Sequence, residues 1–337
     1  MVIGYENDRK EQQVPSTPRF NKSIAAFAAV IAVLAFSIAG CGDSSSDSGS
    51  SDVSGNITVD GSSTVLPFAQ ASAETFQGEN PNVKITVGKS GTGGGLEKFC
   101  AGEIDVADAS RQIKPEEEAI CKKNGITFGE VQVANDGITI VTNKKLPVKC
   151  LTTKELNEVW KKGSKVSSLS QVNSGLPSTK LSLYGPGTDS GTFDFFTGKI
   201  NGEEGDSRTD YQPSEDDNVI VQGVSGDDGG LGYFGFSYYE QNKDKLNLVE
   251  VDGGKGCVAP SKETIQDGSY APLSRPLYMY YSDKSIAQPQ VAAFLNQTLA
   301  KHDEFSTTSQ VVPMSEAQAA AAQKTLDSAT SGKGATS

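Results

Sequence analysis

A chain of 337 residues, 36% hydrophobic and 21% charged, is long enough for a sizeable core and for two domains of ordinary size. Its formal net charge of −12 excludes the basic footprint of a nucleic-acid binder or of a protein held on an anionic membrane surface. A small anionic ligand stays open, because local dipoles hold such an ion, and its capture should owe little to long-range attraction.

The first 41 residues read as a targeting signal rather than as part of the fold. Arg9, Lys10, Arg19 and Lys22 precede an apolar run from Ile24 to Ala39, too short and alanine-rich for a comfortable membrane span. The run ends Ile38-Ala39-Gly40-Cys41, a bacterial lipobox pattern in which Cys41 becomes the lipidated N-terminus. Residues 42–55 are nearly all Ser, Asp and Gly, the composition of a flexible tether. A lipid, a leash and then a domain make sense together. Cleavage would remove four basic and three acidic residues and leave about −13.

From Asn56 onward short apolar strands alternate with helices, which predicts an α/β class. Ile57–Val59 reads as a strand, Val65–Phe76 as a helix with Pro67 in its first turn, and Val83–Val87 as a second strand. Leu96–Ala101 opens a helix after a run of glycines. Ile104–Ala109 is a strand, Pro115–Asn124 a helix stopped by Gly125, and Ile138–Thr142 a strand. A second block holds the helix Thr153–Lys161 with the sole tryptophan, Trp160. It continues with the strand Leu181–Tyr184, the short helix Phe193–Lys199 and a polar loop from Gly202 to Asp217. Val219–Val224 and Gly232–Tyr239 are apolar elements, and Leu246–Val251 and Arg275–Tyr281 are strands. Helices follow at Gln288–Leu299 and Ser315–Leu326, then a loose tail over 328–337. This order predicts two lobes between which the chain crosses and returns, 56–137 with 278–327 and 138–277, with Arg275–Tyr281 lying beside Ile138–Thr142. A cleft between lobes is the usual place for a small ligand.

Cys100, Cys121, Cys150 and Cys257 remain after cleavage, and four cysteines allow three pairings. The short loop Cys100–Cys121 is preferred, which leaves Cys150 with Cys257. No C-x-x-C pair occurs and His302 is the sole histidine, so no metal or other cofactor is expected.

Three segments share a strand, a turn of Ser, Thr and Gly, and a helix start: Gly61–Thr64, Ser90–Gly95 and Thr188–Thr192. A helix N-terminus leaves backbone N–H groups unpaired and carries partial positive charge. Glycine lets the backbone approach closely, and the hydroxyls add donors. One such turn is an ordinary helix cap. Three, shared between the two blocks, point to a tetrahedral oxyanion held between lobes. Arg111 can fork two donors onto it, or else pair with Asp108 or Asp136. Phosphate keeps a proton near neutral pH, so a buried carboxylate would accept it and reject sulfate. Asp136 and Asp189 are the two acids in place for that, although Asp189 can equally cap the helix at Phe193.

The ordered set GSSTVLP (61–67), SGTGGG (90–95), DVADASR (105–111), DGITIVTN (136–143), GPGTDSGTFDFF (185–196), GYFG (232–235) and PLSRPLYMY (272–280) resembles the phosphate-binding proteins of ABC importers, the PstS family. It runs from about Asn56 to Leu326. The resemblance implies a type II periplasmic-binding-protein fold that closes on inorganic phosphate by a hinge, works as a monomer, and delivers its cargo to permease subunits driven by an ATPase. Carried over by position, Ser63, Thr64, Ser90, Ser190, Gly191 and Thr192 are phosphate ligands. One departure stands out: Arg111 occupies the place of the family's acid, and Pro186 the place of its arginine. Arg111 then supplies the cation, and Asp136 or Asp189 the acceptor.

Other readings fit less well. A Walker A loop at Gly88-Lys89-Ser90 fails because Val83 stands where its first glycine belongs. G-x-S-x-G is not met around Ser90. Asp216-Asp217 and Asp227-Asp228, the acids a surface phosphatase would need, read as solvated loop residues. A binding protein for sulfate or molybdate is the nearest alternative.

Overall fold

The computed structural model of the protein describes residues 53–332; the leader, Cys41, most of the tether and 333–337 lie outside the described residues. The first block contains β1 (Gly55–Gly61), α1 (Leu66–Glu79), β2 (Val83–Val87), α2 (Gly91–Cys100), β3 (Val106–Ala109) and α3 (Pro115–Lys123). Helix α1 buries Phe68, Ala69, Ser72, Ala73 and Phe76, one face at helical spacing. Its polar member is satisfied, since the Ser72 and Thr298 hydroxyls share a hydrogen bond of 2.6 Å. Helix α2 starts at Gly91, earlier than the predicted Leu96, so the glycines form its opening turns. They let it lie on β1: a Cβ at Gly95 would stand 2.5 Å from the Gly61 Cα.

The chain then enters β4 (Phe128–Asn143), a strand of 16 residues. The second block follows: β5 (Cys150–Thr152), α4 (Thr153–Trp160), β6 (Ser182–Pro186), α5 (Gly191–Phe196), β7 (Gln212–Ser214), α6 (Asp217–Gly226) and β8 (Gly230–Gly235). It ends with α7 (Phe236–Asn242), β9 (Leu246–Asp252), β10 (Cys257–Val258) and α8 (Lys262–Gln266). The return is β11 (Ser274–Ser282), then α9 (Asp283–Ile286), α10 (Pro289–Ala300), α11 (His302–Thr308) and α12 (Glu316–Thr330).

Strand β4 belongs to both halves. Phe128–Gly137 pairs antiparallel with β11, and Ile138–Asn143 continues without a break to pair with β8 and β9. The returning strand therefore lies beside Phe128–Gly137 and not beside Ile138–Thr142 as expected. The stretch hides in the sequence because Glu130, Gln132, Asn135 and Asp136 dilute its apolar residues and Asn-Asp-Gly reads as a turn. The first sheet runs β2–β1–β3–β11–β4, with β1, β2 and β3 parallel. The second is built around β4, β8, β6, β7 and β9.

Two cores follow from this division. One joins Ile57, Val59, Phe68 and Phe76 to Leu277, Phe294 and Leu326; the other gathers Ile138, Trp160, Phe196, Tyr233, Val249 and Tyr270. Each fully buried large side chain contributes roughly 1.5–3 kcal/mol relative to exposure. Helix α12 runs on to Thr330, past the predicted start of a loose tail at 328, because fully buried Leu326 pins its last turns. The polar segment 202–217 also departs from a plain loop: it contributes β7, parallel to β6, and its last residue opens α6. Both preferred disulfides are formed, Cys100–Cys121 and Cys150–Cys257.

Candidate functional site

The carboxyl ends of β1, β2 and β3 all face one side, the edge where open α/β sheets take their ligands. Ser62–Thr64 follow β1, Ser90–Gly93 follow β2, and Ser110 and Arg111 follow β3. They line a cleft of about 920 Å³ whose other wall is Gly191, Asp194, Phe195, Lys199 and the turn at Gly202–Glu204, with Arg275 and Tyr278 from β11. Of the residues expected from sequence, Ser63, Thr64, Ser90, Arg111 and Gly191 border this space.

The two walls meet at one point. A Cβ on Gly191 would stand 2.2 Å from the Thr64 Oγ1 and 2.7 Å from the Ser63 Oγ, so the loops approach this closely only because the residue is glycine. Ser190 caps α5, accepting from the Thr192 N–H at 3.2 Å. Capping thus falls to Ser190 and not to Asp189. Asp189 is exposed; its carbonyl oxygen accepts from Lys89 Nζ at 2.8 Å, a contact that also joins the walls. Ser90 donates its hydroxyl to Asp60 at 2.9 Å.

The charges are arranged differently from the expectation. Both terminal nitrogens of Arg111 are held by Glu117 at 2.8 Å, which raises the guanidinium pKa further, so its partner is neither Asp108 nor Asp136. Asp136, 6% exposed, accepts instead from Arg275 Nε at 3.1 Å. Arg275 is the residue that sequence reasoning missed. Its Nη2 donates to Thr64 Oγ1 at 2.7 Å and to the Gly191 carbonyl oxygen at 3.2 Å. The guanidinium carbon stacks 3.9 Å from the Phe195 ring centroid. One side chain therefore ties both crossing strands to both walls. Burial lowers its pKa and the Asp136 charge raises it, with burial the larger effect. The signal was present in PLSRPLYMY, inside an apparently ordinary strand.

Asp194 is the second missed residue. It borders the cleft from α5, and burial together with the Glu204 charge raises its pKa. Asp108, at the end of β3, is fully buried and finds no hydrogen-bond partner for either carboxyl oxygen among the described residues, and burial pushes its pKa far up. Asp217 is not the solvated acid expected: burial, chiefly, raises it to about 7. Asp216 is exposed and caps α6 through the Asn218 N–H at 2.9 Å.

Two lobes joined by crossing strands, with a hydroxyl-lined cleft between them, define a solute-binding protein. Residues 46–301 match the family model described as a PBP superfamily domain. The chain is 46% identical over 272 residues to the protein SphX of Synechococcus elongatus, covering 80% of each. It is 44% identical over 248 residues to the phosphate-binding protein PstS of Staphylococcus saprophyticus, covering 73% of this chain and 75% of that one. The crystal structure of a possible phosphate binding protein from Planctomyces limnophilus superposes with a TM-score of 0.78 at 46% identity, over 82% of this chain and 99% of that one. The chain belongs to the PstS phosphate-binding proteins of the PBP superfamily, with a type II fold of that superfamily.

Proposed function

We propose that this chain captures inorganic phosphate in the cleft and delivers it to an ABC-type importer, acting as a binding protein without catalysis. The observation that carries the reading is the convergence of Ser63, Thr64 and Gly191 on one point, bridged by Arg275. A tetrahedral anion there receives hydroxyl and backbone donors from both walls, and bridging favours the closed form by differential affinity. Lobe I is 56–137 with 274–327 and lobe II is 138–273, since β11 pairs along its whole length with Phe128–Gly137 and Leu277 joins the first core, and the hinge lies where β4 and β11 pass between lobes.

The roles divide by contact. Ser63, Thr64, Ser90 and Gly191 face the ligand; Ser190 and Thr192 shape the turn that presents Gly191. Arg275 supplies the cation at the meeting point, with Asp136 as its positioning partner, and Arg111 supplies a second cation from the opposite wall. Asp189 holds the rim through its main chain and Lys89. Asp194 is the acceptor for the phosphate proton, because it is the half-buried acid facing the cleft while Asp136 is engaged by Arg275. Cys41 anchors the mature monomer by lipid on the extracytoplasmic face.

Calorimetric titration of residues 56–337, stripped of anion, tests this. Phosphate should bind at micromolar or tighter with sulfate silent, and a chromogenic phosphate ester should not turn over. Sulfate binding would mean that the rearranged charges changed the ligand, and ester turnover would revive the phosphatase. Asp194→Asn should weaken phosphate and admit sulfate.

A further inference from the structure

A carboxylate that no expectation placed at the site faces the same cleft. Glu204 lies on the turn 202–205, which is bounded by glycines in left-handed conformations, Gly202 at φ 92° and Gly205 at φ 83°. The turn is fixed at its base: the Gly205 N–H donates to Thr197 Oγ1 at 2.9 Å, and Asn201 Nδ2 donates to the Asp206 carbonyl oxygen at 2.6 Å. Below it, Thr197–Asn201 is a π-helical turn, a rare form that recurs at functional sites. Glu204 lies over Gly198, where an added Cβ would stand 3.0 Å from its Cγ. Glu204 is exposed, and it borders the cleft together with Gly198.

Among the described residues no hydrogen bond or ion pair engages the Glu204 carboxylate. Its charge is nevertheless felt by three groups on three elements: it favours the charged forms of Arg111 after β3 and Arg275 on β11, and raises the pKa of Asp194 on α5. Glu203 and Lys199 on the same wall and Lys114 on the opposite one complete the charged groups of the cleft. An acid so placed weakens the hold of two arginines on any anion, and weakens it twice as much for a dianion as for a monoanion.

We propose that Glu204 is a specificity-determining residue that selects the protonation state of the bound oxyanion, biasing the cleft toward the monoanion of phosphate and against dianions. The inference rests on the phosphate reading and adds a second discrimination to the Asp194 acceptor. Asp194 tests for a proton at one point of the ligand; Glu204 tests its total charge.

The experiment is phosphate titration of wild type, Glu204→Gln and Glu203→Gln at pH 5.5 and pH 8, in constant salt. Glu204→Gln should tighten binding at both values, and about threefold more at pH 8, where the ligand is mostly dianion. Glu203→Gln removes the same charge one residue away on the same wall, so it should show the same sign of effect, but its extra gain at pH 8 should be well below that of Glu204→Gln. Equal ratios at both pH values for Glu204→Gln, no change, or identical behaviour of the two variants would overturn the role of Glu204 while leaving phosphate binding intact. Wild type that binds no phosphate at either pH would overturn the underlying reading instead.

Discussion

The two walls of the cleft are built from similar parts and carry opposite charge. The wall after β1, β2 and β3 presents hydroxyls, backbone, Arg111 and Lys114; the wall of α5 and the turn behind it presents Asp194, Glu203 and Glu204, with Lys199 as its cation. A cleft meant only to attract anions would have been basic on both sides. The difference teaches that one wall attracts while the other rejects, with Arg275 between them answering to both. Selectivity in such a site comes from what the acidic wall refuses.

Removing Arg275 breaks that arrangement most completely. Arg275→Ala should cost from about 30-fold to several-thousand-fold in phosphate affinity, since truncating one partner of a buried charged pair is worth roughly 2–5 kcal/mol in binding. It should also destabilise the fold by about 3 kcal/mol, because Asp136 is left buried and unpaired. Arg275→Lys should rescue little, as an ammonium cannot reach Asp136, Thr64 and the Gly191 carbonyl at once. Calorimetry and thermal unfolding check both effects. Affinity within threefold of wild type would remove Arg275 from the site.

Gly191→Ala tests the contact between the walls rather than their charge. The added methyl meets Thr64 and Ser63 at distances that require the loops to part. Affinity should fall about 30-fold while urea unfolding of the ligand-free protein changes by less than about 1 kcal/mol. Comparable losses in stability would mean that the glycine serves the fold and not closure.

Arg111→Ala should cost less, about tenfold. Glu117 holds both ends of its fork, so Arg111 acts on the ligand through charge and not as a bidentate clamp. Raising the salt concentration should shrink this loss and leave the Arg275 loss nearly unchanged, which calorimetry at two ionic strengths reads directly.

Much of this was legible in the residues, and the failures have physical causes. Periodicity marked β2 and α3 closely, and the Ser/Thr/Gly turns marked the mouth of the cleft, because caps and apolar faces are local signals. The first half of β4 was invisible because its pairing with β11 joins residues far apart in sequence. Charge partners were the weakest point. Arg111 was expected to meet Asp108 or Asp136 by nearness in the motif, yet helix α3 swings Glu117 back onto it, and Arg275 reaches Asp136 across 139 positions. Asp194 lay inside a quoted motif and was passed over, since only the structure shows which acid of that turn faces the cleft.

The smallest effect concerns the acidic side away from the ligand. Asp217 is raised from an ordinary value of 3.8 to about 7, burial being the main cause and the charges of Asp136, Asp216 and Glu215 adding to it. A group whose folded pKa exceeds its unfolded one contributes fully below the unfolded value and loses that contribution as pH rises to the folded one. Asp217 therefore lowers stability progressively from about pH 4 to pH 7. Asp217→Asn should flatten this stretch; the full shift corresponds to about 4 kcal/mol, which solvent screening at this half-buried acid cuts to about 1–2 kcal/mol of extra stability over wild type at pH 8, with little difference at pH 4. Chemical unfolding at the two pH values measures it. Equal differences at both would show that packing, and not ionisation, sets the contribution of this acid, and the repelling character of the second half would then be confined to the cleft wall itself.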